Sequence, residues 1–140
     1  MSLTENQISE LSQALIQAQE SATPITNPID QYPDMTVAEA YAVQRATYET
    51  RIKNGDTVVG GKVGLSAKIM QEVFNTDAPI YGRLFASMVA LEGEPISIGS
   101  MSRPMIEGET AFVLDADLKG PGVTVGKAMA SVAEIIPAFE

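Results

Sequence analysis

The segment Met105-Ile106-Glu107-Gly108-Glu109-Thr110-Ala111-Phe112-Val113-Leu114 decides how the rest of the chain is read. Polar, β-branched and aromatic residues alternate along it, which predicts a strand. Glu107, Glu109, Ala111 and Val113 then share one face, and Ile106, Thr110, Phe112 and Leu114 share the other. Upstream, residues 57–65 are β-branched and glycine-rich, predicting a strand interrupted at Gly60, Gly61 and Gly64. Ser66 is placed to cap a short helix over 69–74, and two further short strands are expected at 79–91 and 95–98. Downstream, Gly120-Pro121-Gly122 marks a turn across 117–124. Thr124 can cap a last helix that uses Val125, Ala128, Met129 and Val132 and stops at Pro137, leaving 138–140 extended.

The first third reads as helical. Thr4 with Gln7, and Thr36 with Glu39, have the capping-box spacing. Ile8, Leu11, Leu15 and Ala18 form the stripe of the first helix; Val37, Tyr41, Tyr48 and Ile52 share a face of the second, which should stop at Asn54-Gly55. Between them Pro24, Pro28 and Pro33 predict an extended linker over 21–34. Helices followed by strands, a helix and a strand indicate an α+β protein, a mixed β-sheet with flanking helices. The expected division is an N-terminal helical segment, 1–56, and the first part of an α+β domain, 57–140. The apolar ending Ile135-Ile136-Pro137-Ala138-Phe139-Glu140 gives the expectation of a chain cut inside a buried element.

The 140 residues carry 18 Asp plus Glu against 9 Lys plus Arg, a net charge of −9, with no histidine and no cysteine. Nucleic acid and anionic membranes are therefore unfavourable partners. Disulfides, thiol nucleophiles, histidine triads and His- or Cys-ligated zinc are excluded. No apolar stretch approaches the ~20 residues of a membrane span, and the start has no signal-peptide pattern, so a cytoplasmic protein is expected. The available chemistry is that of carboxylates, lysines, arginines, hydroxyls, or a cation held by oxygens.

Glu107 and Glu109 project together, with Cα atoms about 6.5–7 Å apart. Two readings are open. On a solvated surface the pair is ordinary decoration; if Ala111 and Val113 continue the same face into partial burial, the two charges require a cation, which a hard divalent ion supplies. Glu140 is a third carboxylate in an apolar stretch, or simply a polar chain end. Gly60-Gly61-Lys62-Val63-Gly64-Leu65-Ser66 is neither GxxxxGK[ST] nor GxGxxG, which leaves Lys62 either solvated or presented to a ligand as a proton carrier. Lys68 reads as a surface charge, and Tyr81 with Arg83 as pocket lining or as a core tyrosine and a surface arginine.

Taken in order, Tyr32-Pro33-Asp34-Met35-Thr36, Ala40-Tyr41-Ala42-Val43-Gln44, Gly61-Lys62-Val63-Gly64-Leu65-Ser66-Ala67-Lys68, Pro79-Ile80-Tyr81-Gly82, Glu107-Gly108-Glu109-Thr110-Ala111-Phe112-Val113-Leu114, Leu118-Lys119-Gly120-Pro121-Gly122 and Pro137-Ala138-Phe139-Glu140 resemble the 2-keto-4-pentenoate hydratase family. That family includes 4-oxalocrotonate decarboxylases and belongs to the fumarylacetoacetate hydrolase superfamily. The similarity runs through nearly all of the chain but covers about the first half of a typical member.

The resemblance implies a fumarylacetoacetate-hydrolase-like fold and a Mg²⁺ or Mn²⁺ site of Glu107, Glu109 and Glu140. It implies Lys62 as proton donor or acceptor, and Leu65, Ser66 and Tyr81 at the substrate. The implied substrate is a small 2-oxo acid or 2-hydroxydienoate from aromatic-compound degradation, chelated through its C1 carboxylate and C2 oxygen. The implied activity is a hydratase; the alternatives are a 4-oxalocrotonate-type decarboxylase, a non-catalytic hydratase-like subunit, and a fumarylpyruvate-type hydrolase. The implied partners are further copies in a homo-oligomer, or a hydratase–decarboxylase complex. Two positions depart from the family pattern: Ser66-Ala67 stands where many members have Thr-Ser, and Ile80 where hydratases usually have Asp, as in the decarboxylases.

Overall fold

The computed structural model describes residues 2–140. Helix α1 spans Glu5–Glu20, α2 Pro28–Gln31, α3 Val37–Lys53 and α4 Lys68–Val73. Strand β1 is Val58–Gly64, β2 Ile80–Phe85, β3 Gly108–Leu114 and β4 Val132–Phe139, with α5, Val125–Ala130, before β4. The α+β class holds, built on two antiparallel pairs, β1 with β2 and β3 with β4. The chain forms two compact units, one running to Ser102 and the other Arg103–Glu140.

In the first unit both capping boxes form. The Thr4 and Thr36 hydroxyls accept from the N–H groups of Gln7 and Glu39, and those two side chains accept from the cap residues' own N–H groups. Helix α3 ends on Asn54, with Gly55 at φ +96°, a conformation that glycine adopts without a Cβ clash. Contacts between α1 and α3 run in the same order along both helices. Glu39 accepts from the Leu3 N–H at 2.6 Å, the Thr47 hydroxyl donates to Ser12 at 3.3 Å, and Arg51 donates to Gln19. The two helices are therefore parallel, and the chain has to travel back along about 24 Å of α1 before α3 begins. The proline-rich stretch provides that return. It is not wholly extended: Pro28 starts the single turn α2, with Asn27 as its cap.

The second contact of α3 is with β2. Tyr41, Gln44 and Tyr48 lie three and four residues apart on one face of the helix. The Tyr81 N–H donates to the Tyr41 hydroxyl at 3.3 Å, the Gln44 amide donates to the Tyr81 carbonyl at 3.2 Å, and the Arg83 N–H donates to the Tyr48 hydroxyl at 2.9 Å. These side chains occupy the edge of β2 that faces away from β1, so the outward Tyr81 N–H and C=O and the Arg83 N–H are satisfied without a third strand. At the end of β2, Phe85 is fully buried, with the Tyr48 ring 5.6 Å away and the Arg51 guanidinium 5.3 Å over its face. Asp56 fastens the same corner, accepting from the Ser87 hydroxyl at 2.6 Å and from the Thr57 and Ser87 N–H groups. The Ser87 hydroxyl, first among these contacts, holds the Asp56 carboxyl below the usual carboxylate range.

Several expectations from the sequence are corrected. Ser66 does not cap α4; Ala67 occupies that position with no side-chain hydrogen bond. The strand expected over 79–91 ends at Phe85 in a turn of 3₁₀ helix, Ala86–Met88, and 95–98 forms no strand but leads into another, Ile98–Ser100. The last helix stops at Ala130, and the residues assigned to its second half form β4 instead. Val132, Ile135 and Ile136 are β-branched and gain from a pleated surface opposite β3. Pro137 is accommodated by register. Glu107 and Glu140 exchange both main-chain bonds, at 2.8 and 2.9 Å, which makes Thr110 opposite Pro137 a non-hydrogen-bonded pair. The N–H that proline lacks would have pointed away from β3.

Candidate metal centre

The same register assembles the acidic cluster. Glu107 and Glu140 are directly opposite, so their side chains leave the hairpin on one face, and Glu109, opposite Ala138, shares it two residues along. One carboxylate oxygen from each of the three lies within 4.8 Å of the others. Around an octahedral Mg²⁺ with oxygens at 2.0–2.1 Å, neighbouring ligands are about 2.9 Å apart and opposite ones about 4.2 Å, so small side-chain rotations bring the set to bonding distance. Three hard anionic oxygens with no nitrogen or sulfur donor suit Mg²⁺, Mn²⁺ or Ca²⁺ rather than zinc or copper.

The partial burial inferred from Ala111 and Val113 is not found. All three glutamates and Val113 are exposed, and the half-buried residues on that face are two alanines, Ala111 and Ala138. Apolar residues on a strand face do not by themselves bury it; burial needs another layer across that face.

Lys62 lies at the centre of β1, opposite Gly82, and is half-buried. Its neighbours on the same face along the strand are Gly60 and Gly64, so the flanking and opposite positions on its face are all glycine. At Gly82 a Cβ would come within 3.3 Å of the Tyr48 hydroxyl, and at Gly64 within 3.1 Å of Ile80. Ile80, opposite Gly64, stands on Lys62's face. Tyr81, opposite Val63, projects from the other face, where it stacks on Tyr41 with centroids 4.7 Å apart and is joined on that face by Arg83 opposite Gly61. The register thus separates Tyr81 from Lys62.

Leu65 follows β1 in the left-handed region, φ 53°, and Ser66 after it is exposed. Holding this turn is Gln71, which the sequence reading missed. It is buried, its amide donates to the Leu65 carbonyl at 2.7 Å, and it accepts from the Lys68 ammonium at 3.4 Å. Helix α4 carries Lys68 and Glu72 beside Gln71, so no sequence signal singled Gln71 out. Lys68 is exposed, as expected for a surface charge.

No family model matches the chain. Individual relatives do. It is 36% identical over 138 residues to the 2-keto-4-pentenoate hydratase of Paraburkholderia xenovorans strain LB400, covering 99% of this chain and 51% of that protein. It is 33% identical to the 4-oxalocrotonate decarboxylase of Pseudomonas sp. strain CF600, again over 99% of the chain and 52% of the relative. The fold matches the 4-oxalocrotonate decarboxylase of Pseudomonas putida G7, solved complexed with magnesium and adipate, with a TM-score of 0.93, 30% identity, and coverage of 99% of this chain and 52% of that one. Along nearly all of its length the chain is similar to 2-keto-4-pentenoate hydratases and 4-oxalocrotonate decarboxylases. It spans about half the length of the curated relatives it matches. Among the described residues, no helix is long and apolar enough to cross a membrane.

Proposed function

We propose that this chain carries the divalent-metal site of a lyase acting on 2-oxo or 2-hydroxydienoate acids, with Glu107, Glu109 and Glu140 holding Mg²⁺ or Mn²⁺. The convergence of one oxygen from each glutamate within 4.8 Å supports this reading above all else. A bound divalent cation would supply electrophilic polarisation of a chelating 2-oxo acid. The three carboxylates would hold that cation, and the Leu65–Ser66 turn would orient the acid. Lys62, with glycine at the flanking and opposite positions on its face, would accept and return a proton on the substrate's carbon chain.

Hydration of a 2-hydroxy-2,4-dienoate is the first reading, as in the hydratases that the chain matches. One observation favours the decarboxylase: the side chain diagonal to Lys62 on its face is Ile80, which is apolar and activates no water. A homo-oligomer or a hydratase–decarboxylase complex, in the cytoplasm, completes the proposal.

The test is calorimetry with Mg²⁺ and Mn²⁺ on the 140-residue chain, followed by exchange of the C3 protons of a 2-oxo acid and turnover of 2-hydroxypentadienoate. One ion per chain is expected, with Glu109→Gln weakening uptake by more than about 100-fold. Lys62→Met should abolish proton exchange. The proposal fails if neither ion is taken up, or if Glu109→Gln binds as the parent does.

A further inference from the structure

Leu65 sits at φ 53°, a region that glycine enters freely and leucine does not, so a neighbour has to hold it there. The neighbour is Gln71. It is 5% exposed, whereas every other residue of α4 is exposed. Its main chain is fixed on both sides: its N–H donates to the Ala67 carbonyl at 3.2 Å, and its carbonyl accepts from the Thr76 N–H at 2.9 Å. Two contacts leave one orientation for its amide. The Lys68 ammonium can only donate and the Leu65 carbonyl can only accept, so Oε1 turns to Lys68 and Nε2 to Leu65. The peptide joining Leu65 to Ser66 is planar and trans, and its C=O and N–H therefore point in opposite directions. With the carbonyl drawn towards a buried amide, the Ser66 N–H is turned away from it. Ser66 is exposed, and this N–H meets no acceptor among the described residues.

We infer that Gln71 is a positioning residue of the substrate turn: by holding the Leu65 carbonyl, it aims the Ser66 N–H outwards as a fixed donor for a carboxylate oxygen of the 2-oxo acid. The inference rests on the proposed function above, in which this turn orients the acid. A main-chain N–H already set in direction gives up little freedom when it meets an anionic oxygen, and charge-assisted bonds of this kind are the stronger ones. Gln71 does not touch the acid; it acts through the peptide plane. A residue that only fills the space beneath the turn is replaceable by an apolar side chain of its own length, and one that only bonds Lys68 is replaceable by a carboxylate. Neither replacement donates to the Leu65 carbonyl.

The experiment compares the full 140-residue chain with Gln71→Met, Gln71→Glu and Lys68→Met. Magnesium uptake is read by calorimetry, and pyruvate affinity of the magnesium-loaded chain by the NMR shift of the Ser66 amide. The Leu65 backbone is read by its intraresidue amide-to-Hα cross-peak, which is strong at positive φ. Both Gln71 variants should weaken pyruvate binding at least about 10-fold and weaken that cross-peak, with magnesium uptake unchanged. A purely structural role would lower the melting temperature and leave pyruvate affinity as it was. Lys68→Met alters an exposed residue and should weaken pyruvate binding about 3-fold; should either Gln71 variant fail to fold, unchanged affinity in Lys68→Met overturns the inference. It is also overturned if Gln71→Glu binds pyruvate as the parent does, or if the Leu65 cross-peak survives in both Gln71 variants. Absent magnesium uptake in the parent overturns the metal site and this inference with it, whereas intact uptake with pyruvate binding absent or indifferent to residue 71 overturns this inference alone.

Discussion

The two hairpins solve the same problem in opposite ways. β1–β2 has an outer edge whose main-chain groups are taken up by Tyr41, Gln44 and Tyr48, and an anchor, Phe85, that is fully buried. β3–β4 has equally strong strand sequences and tight pairing, yet Phe112 is 56% exposed. The lesson is that strand propensity and register are local, whereas burial depends on what lies across the face.

The largest effect that could break this contrast is in the two phenylalanines. Phe85→Ala is expected to destabilise by about 3–5 kcal/mol because it empties a closed site, whereas Phe112→Ala should stay within about 0.5 kcal/mol, as at exposed positions generally. Urea unfolding of the isolated chain checks both, and equal losses would show that the second hairpin is covered after all. A smaller effect is expected at the sealed edge. Tyr48→Phe removes the acceptor for the Arg83 N–H and should cost about 1 kcal/mol, with faster exchange at Arg83 and none of that change in β3.

The smallest effect is a pH dependence confined to the first unit. Glu39 accepts from the Thr36 hydroxyl, then from the Thr36 and Leu3 N–H groups, and its pKa falls from 4.5 to about 2. A folded-state pKa below the unfolded value gives a contribution that is full above about pH 4.5 and is lost as pH falls towards 2. Acid should therefore loosen the α1 N-terminus, seen as faster exchange at Leu3, and Glu39→Gln should remove that pH dependence while leaving the β3 amides unaffected.

Much of this was legible beforehand because its causes are local. Thr4 with Gln7 and Thr36 with Glu39 fixed both helix starts, Asn54-Gly55 fixed a stop, and the Glu-x-Glu alternation placed two carboxylates on one face. Other features depend on distant partners. The residues that became β4 carry a helix-compatible stripe, and only pairing with β3 decides between the two states. The burial expected for Glu107 and Glu109 required a covering layer that no local pattern encodes. The direct opposition of Glu107 and Glu140, which completes the acidic cluster, follows from a register that neither segment specifies alone. The separation of Tyr81 from Lys62 could have been read from strand parity once Lys62 is paired with Gly82.

The carboxylates sit at the mouth of the second hairpin, where β3 begins and β4 ends, the place at which paired strands fray first. An ion bridging Glu107 and Glu140 would act as a clasp, closing everything between them into a ring and removing loop entropy from the loosened state. Ion affinity and the cohesion of those strands then become one coupled equilibrium: whatever tightens the strands raises affinity, and chelators would unzip them.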